Sequence, residues 1–454
     1  MINLPWPMAI GLFFGLISYK DFLCAAIRAM TTANVVFLFL FTFRYLRYIV
    51  HNITGIFLYR PALPRDHPAF INRSVAVIIP TVAPNTVAFL KCCESILSNQ
   101  PRVLIISTVG IKLARDTRNI FCKHNFDTRF PHTKLAVVRI DEANKRKQIV
   151  EASWLIDSTD TPITICADDH VYWPPTFLAS LLPAFDDPRV GLVGTSKKVI
   201  RDPADSLYKS FTNFIACLYL ERDNFRIRSE PYMDYGVFCV SGRTSAILTD
   251  ILKNEHFRQG YVNEMFFFGW LGPLNPDDDN YIVRYVLRNG WKIAFQCMPE
   301  CTIRTPLGNP QKFWNQVLRV LTQTTWYTAS SHRGTFITPL LVWIFVSKMI
   351  KIAPHFYDHP SDLLWLPAYL AYAYWHSFVK LYCALTFWNH SWGGRDLNTL
   401  TKVSINNIDK EVFMQVAPAR PEMLRGITGL YSNDLNLLPD KHNTDNSTSM
   451  GSKN

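Results

Sequence analysis

Charge is scarce in this chain. Only 18% of its 454 residues are Asp, Glu, Lys or Arg, against roughly 25% in soluble domains. With 48% hydrophobic residues, 14% aromatics and a mean hydropathy of +0.04, the deficit predicts a protein partly in membrane. A zinc framework is also missing. Of the ten cysteines, Cys92 and Cys93 are adjacent, while Cys297 and Cys301 have no second pair nearby. Most lie in apolar runs (Cys24, Cys166, Cys239, Cys383), where a free thiol acts as a small hydrophobe in a reducing, cytosolic setting. No block of Arg and Lys interleaved with aromatics exists, so nucleic acid is not an expected partner. The net charge of +11 then points to anionic lipid or phosphorylated substrates. The start lacks the basic stretch and small-residue cleavage site of a secretory signal. Glycosylation sequons begin at Asn52, Asn72, Asn389 and Asn446; a chain this long carries several by chance, and they do not decide topology.

Long apolar runs sit at both ends. Leu4 to Tyr19 is uncharged but short of the ~20 residues that a spanning helix needs. Phe22 to Phe43 is long enough and holds a single Arg28, after which Arg44, Arg47, Arg60, Arg65 and Arg73 mark a cytoplasmic flank. Phe336 to Val346 is closed by Ser347 and Lys348, with Lys351 just beyond, and Leu363 to Trp388 contains only His376 and Lys380. Leu363 to Trp388 is a good spanning candidate, with a buried or interfacial helix pair as the alternative. The expected layout is a membrane anchor at 1–50, a basic linker at 51–73, a catalytic domain at 74–330, a transmembrane region at 331–390 and a tail at 391–454, disordered after about 431.

Between the ends, strand and helix signals alternate. Strands are expected at Ser74–Pro80, Arg102–Thr108, Lys134–Ile140, 163–167, Gly191–Thr195, Gly236–Ser241 and Trp291–Gln296. Helices are expected at Thr86–Ser98, Lys145–Leu155, Thr176–Leu182, Tyr281–Arg288 and Gln311–Thr328. That alternation argues an α/β fold, a doubly wound sheet of parallel strands that gathers ligands at its carboxyl edge. Ile163-Thr-Ile-Cys-Ala runs straight into Asp168, Asp169 and His170, hard ligands that suit a divalent cation holding a diphosphate. An acidic loop is the plainer alternative. Asp277, Asp278 and Asp279 follow the aromatic run Phe266–Trp270 and open a helix. There a carboxylate beside apolar rings can serve as a general base, though charge runs are usually solvated turns. Lys145, Arg146 and Lys147 at a helix start could clamp a diphosphate or simply form a basic face. Gln316 and Arg319, three apart, share one face of their helix.

In this order the motifs resemble those of the processive, membrane-anchored family 2 glycosyltransferases, the group of hyaluronan, chitin and cellulose synthases. The likeness is nearest to the fungal capsule-type polysaccharide synthases. It covers roughly residues 74–330 and the flanking apolar segments. It implies a GT-A-like (Rossmann-like) glycosyltransferase domain flanked by transmembrane helices, with the catalytic side cytosolic and the protein multi-pass in the plasma membrane or an endomembrane. The implied activity is inverting transfer from a nucleotide sugar, UDP-linked, to a growing glycan, with export of the product. By the resemblance Asp168, Asp169 and His170 hold Mn²⁺ or Mg²⁺, with His170 where the second metal-binding Asp is usual. Asp279 is the general base. Lys145, Arg146, Asp168, Asp278, Gln316 and Arg319 bind substrate, and Cys239-Val-Ser-Gly242 lies on the acceptor side. Val320 replaces the Trp of Gln-x-x-Arg-Trp, and Ser107-Thr-Val-Gly110 stands where an acidic residue would meet uracil. Two alternatives stay open: a single-transfer enzyme acting on a lipid acceptor, and a catalytically weakened homologue serving as partner or scaffold.

Overall fold

The computed structural model describes residues 32–201, 206–233, 237, 239–265, 269, 272–273, 278–306, 343, 345–369, 372 and 375. Two compact units divide the chain: Pro61–Asn213, Val237–Val317 and Thr386–Asn454 make one, and Met1–Arg60, Phe214–Gly236 and Leu318–Leu385 the other.

The first unit is built on a seven-stranded sheet. Its strands are β1 (Val75–Pro80), β2 (Val103–Val109), β3 (Lys134–Ile140), β4 (Ile163–Ala167), β5 (Val190–Thr195), β7 (Thr244–Leu248) and β8 (Lys292–Gln296). They lie in the order β3-β2-β1-β4-β7-β5-β8. All six residues of β1 are buried, as a strand covered on both faces requires, and its β-branched run supplies that cover. Ile78 registers with Ile105 on one side and Cys166 on the other, both parallel. The expected all-parallel sheet is corrected at one strand. Thr244–Leu248, and not Gly236–Ser241, forms β7, and it runs antiparallel to both β4 and β5. A separate parallel pair joins β6 (Lys197–Ile200) to β9 (Ile303–Pro306), a pairing between segments a hundred residues apart that no local pattern announces.

Helices cover the sheet. Helices α2 (Val87–Leu97) and α3 (Gly110–Lys123) bury Phe89, Cys92, Ile96 and Phe121 in one core cluster with Val77, Ile79 and Ile165. Thr86 caps α2 by accepting from Phe89 N at 3.2 Å. The connection into α3 turns at Gly110, whose φ of 71° favours glycine. Helix α4 (Lys145–Ser153) packs across β1, β2 and β3. Asn144 caps it, accepting from Arg146 N at 3.0 Å and Lys147 N at 3.2 Å. Helix α5 (Phe177–Leu181) follows β4 after Trp173-Pro-Pro. Helix α7 (Glu255–Val262) packs on α4, and α8 (Asp278–Arg288) on β5 and β8. The described cysteines are all free thiols.

The second unit contains α1 (Thr32–Ile53), most of α6 (Leu207–Met233) and the short α9 (Ala353–Asp358). Among the described residues no helix is long and apolar enough to cross a membrane, so the flanking transmembrane helices expected from the sequence are not supported there. The physical reason is visible in α1, which does not stop at Phe43 but continues through Arg44 and Arg47 to Ile53. The run from Leu363 opens inside a 3-10 turn, Pro360–Trp365. Leu4–Tyr19, the 22–31 part of the expected Phe22–Phe43 span, most of Phe336–Val346, the remainder of Leu363–Trp388 and the helix expected at Gln311–Thr328 lie outside the described residues.

Candidate active site

The carboxyl ends of the parallel strands bring the acidic motifs together. Strand β4 stops at Ala167, and the next amide, of Asp168, donates to Arg243 O at 2.9 Å. Lys145, in the first turn of α4, reaches Asp168 Oδ1 at 3.0 Å and Asp278 Oδ2 at 3.1 Å. Its Nζ also donates to Gly242 O at 3.5 Å. Burial alone would lower this lysine's pKa; Asp168, then Asp278, outweigh it and hold the ammonium well above its usual range.

Asp279 sits one residue beyond that pair. Its Oδ2 accepts from Gly242 N at 3.2 Å and from the Cys239 thiol at 3.3 Å, and its Oδ1 accepts from Asn280 N at 2.9 Å. Burial, then the charge of Asp278, raises its pKa; Lys145, Cys239 and the Gly242 amide pull the other way. A half-withdrawn carboxylate with a raised pKa, held by fixed donors, is chemically a base.

The geometry separates the remaining candidates. Asp169 lies beside the same edge: Thr81 Oγ1 donates to its Oδ2 at 2.7 Å, and His170 Nδ1 meets its Oδ1 at 3.0 Å. The Thr81 contact braces the loop after β1, and each carboxylate oxygen keeps further acceptor capacity. Arg146 is corrected. It is fully buried, donating to Tyr261 O and Glu264 Oε2, both at 2.8 Å, and its guanidinium lies over the Tyr261 ring. With Arg284 also on Glu264, it ties α4 to α7 and α8, and a diphosphate cannot reach it. Ser107 and Thr108 lie buried in β2, where Ser107 O accepts from Gln148 Nε2 at 2.7 Å. Gln316, Arg319, Val320 and Asp277 lie outside the described residues.

Among the described residues no group of three or more His, Cys, Asp and Glu side chains is arranged to hold a metal. A closed protein cage for Mn²⁺ or Mg²⁺ is therefore not built there. The donor set fits the other arrangement, in which one or two protein ligands are completed by substrate phosphates and water. Sequence reasoning missed Glu264, Tyr261, Thr81 and the contact of Cys239 with Asp279. Only the last had a signal, the nearness of Cys239 to Ser241-Gly242.

The family profile described as "Glycosyltransferase like family 2" matches residues 72–326. The chain belongs to glycosyltransferase family 2. A "Type 2 glycosyltransferase" of Gibberella zeae is 33% identical over 408 residues, covering 79% of this chain and 75% of the relative. Another from Pyricularia oryzae is 30% identical, covering 79% and 81%. An NDP-glycosyltransferase of Aspergillus luteorubrus is 28% identical, covering 58% and 62%. Among solved structures, a mannosyltransferase from Pyrobaculum calidifontis in complex with GDP-Man and Mn²⁺ aligns with a TM-score of 0.40 at 16% identity, over 79% of this chain and 95% of that one. As a family 2 glycosyltransferase with a GT-A-like, mostly parallel sheet, the enzyme uses a nucleotide-sugar donor.

Proposed function

We propose that this glycosyltransferase is an inverting polysaccharide synthase that moves a sugar from a UDP-linked donor to the end of a growing glycan. One observation carries the reading: Lys145 draws Asp168 and Asp278 together while Gly242 aims Asp279 beside them. A cation for a leaving diphosphate and a base for an incoming hydroxyl thus share one sheet edge. Asp279 takes the acceptor's proton as that oxygen bonds to the anomeric carbon, and the bond from that carbon to the diphosphate oxygen breaks with inversion. Lys145 exchanges its carboxylates for the diphosphate as charge builds there. A divalent cation at Asp168, with His170 Nε2 as the nitrogen ligand, would add Lewis-acid neutralisation of the same charge. Gln316 and Arg319 remain substrate-binding candidates by resemblance. The apolar runs support anchoring in membrane lipid with the catalytic unit cytosolic.

The test is release of nucleoside diphosphate by membranes bearing the full chain, with a panel of UDP- and GDP-sugars in Mn²⁺ and in Mg²⁺. Release with one UDP-sugar, together with a long product, supports the reading. A single sugar per acceptor replaces polymerisation with the single-transfer alternative, which Val320 favours. No release from folded protein with any donor leaves the scaffold reading.

A further inference from the structure

Glu264 lies just beyond α7 and belongs to none of the motifs read from the sequence. Both helices that carry the charges of the site nevertheless meet on its carboxylate. Arg146, the neighbour of Lys145 on α4, donates to Glu264 Oε2 at 2.8 Å. Arg284, on the same helix as Asp278 and Asp279, donates to Oε1. The Arg146 guanidinium is closed in from other directions as well. It donates to Tyr261 O at 2.8 Å and lies 5.2 Å and 5.9 Å from the ring centres of Tyr261 and Tyr281. Helices α7 and α8 approach so closely there that a Cβ on Gly260 would stand 2.1 Å from the Tyr281 hydroxyl.

Two ionic links therefore join α4 to α8 within the sheet unit. One is Lys145 to Asp278 at 3.1 Å. The other runs from Arg146 through Glu264 to Arg284 and shares no side chain with the first. In the proposed reaction Lys145 exchanges its carboxylates for the diphosphate, so the first link loosens while Asp279 must still hold its place. The second link does not take part in that exchange. A buried ion pair is a poor device for stability, because desolvation can exceed the Coulombic gain. Charge-assisted bonds on both carboxylate oxygens do fix geometry. We infer that Glu264 is a positioning residue for sugar transfer, setting Asp279 on α8 against Lys145 on α4 through Arg284 and Arg146. The inference rests on the general-base reading of Asp279.

The experiment measures kcat and KM for nucleoside diphosphate release by membranes bearing the full chain, with a panel of UDP- and GDP-sugars. Rates are normalised to the amount of chain, and folding is checked by limited proteolysis. The variants are Glu264→Gln and Arg284→Gln, alone and combined with Asp279→Asn. Each single variant should lower kcat about tenfold, the cost of slightly displacing a reacting group, and change the donor KM by less than about twofold. In the Asp279→Asn background neither should lower kcat further, because the group being positioned is already gone. Arg284→Lys, which keeps the charge, should recover most of the loss. The Arg284 side chain is 44% exposed, so its variants test the link even where Glu264→Gln does not fold. Native kcat in folded Arg284→Gln overturns the proposal. So does a full further loss in the Asp279→Asn background, which marks general damage rather than positioning. Native kcat in Asp279→Asn with Glu264 intact removes the general-base reading itself, and the positioning role falls with it.

Discussion

Lys145 and Lys351 are both drawn partly out of water, and their surroundings treat them in opposite ways. Lys145 lies between Asp168 and Asp278, which hold its proton tightly. Lys351 lies between aromatic faces and among arginines. Burial, then Arg222, brings its pKa down to about 8. The same side chain thus serves as a fixed counter-charge in the sheet unit and as a half-buried cation against aromatic rings in the helical unit. Arg146 adds a third case. One residue from Lys145 on the same helix turn, it is buried against Glu264 and the Tyr261 carbonyl. Neighbouring basic residues in a motif need not share a task.

The largest effect expected is from Asp279→Asn, which should lower kcat about 10²–10⁴-fold, the usual range for removing a general base. Unchanged kcat, with thermal unfolding as the folding control, would end the role of Asp279. Lys145 and Arg146 should then part company. Arg146→Met should cost about 1–3 kcal/mol of stability by leaving the Tyr261 carbonyl without its buried donor, while Lys145→Met should act chiefly on donor turnover. Similar losses of stability in both, measured by urea unfolding, would erase the distinction drawn here.

Gly242→Ala is a finer probe. A Cβ there would stand 3.3 Å from Lys145 Nζ and 3.5 Å from Asp279 Oδ2. Displacing either should cut kcat about tenfold with little change in melting temperature, since small misplacements of reacting groups are costly in rate. Cys239 tests the base through its pH profile. Its thiol favours ionised Asp279, so Cys239→Ala should move the acid limb of kcat to higher pH; Cys239→Ser, which keeps a donor, should restore it.

The smallest effect separates the two lysines by pH. Between about 8 and the ordinary lysine value, the unfolded chain keeps the proton that native Lys351 has lost. Stability therefore rises with pH across that window. Lys351→Met should flatten the rise by about 1 kcal/mol, after allowing for solvent screening. Urea midpoints from neutral to alkaline pH would measure it. An identical slope in the variant would mean that neither burial nor the neighbouring arginines lower the pKa of Lys351.

Much of the sheet unit was legible in the chain because strand and helix patterns are local. Lys134–Ile140 and 163–167 match their strands residue for residue, and Thr86 and Asn144 cap the helices whose starts were expected at Thr86 and Lys145. The 27-residue helix α6 escaped notice, since its apolar residues follow no single stripe and Pro231 interrupts its end. Strand β7 was misplaced by several residues, because Val237–Val240 is as apolar as Thr244–Leu248. Burial depends on neighbours that the segment does not contain.

The sequence by itself determined the alternation of strands and helices, the strand that delivers Asp168 and the acidic turn that delivers Asp278 and Asp279. Periodicity and side-chain type act within a few residues, and a reader can follow them one segment at a time. Only the tertiary structure decided which way each charge faces. Asp168 turns to Lys145 while Asp169 turns to Thr81, although they are adjacent. Arg146 is buried while Lys145 reaches the sheet edge. Successive side chains diverge in direction, so a motif two residues long is split between a working surface and a scaffold by whatever packs against each side.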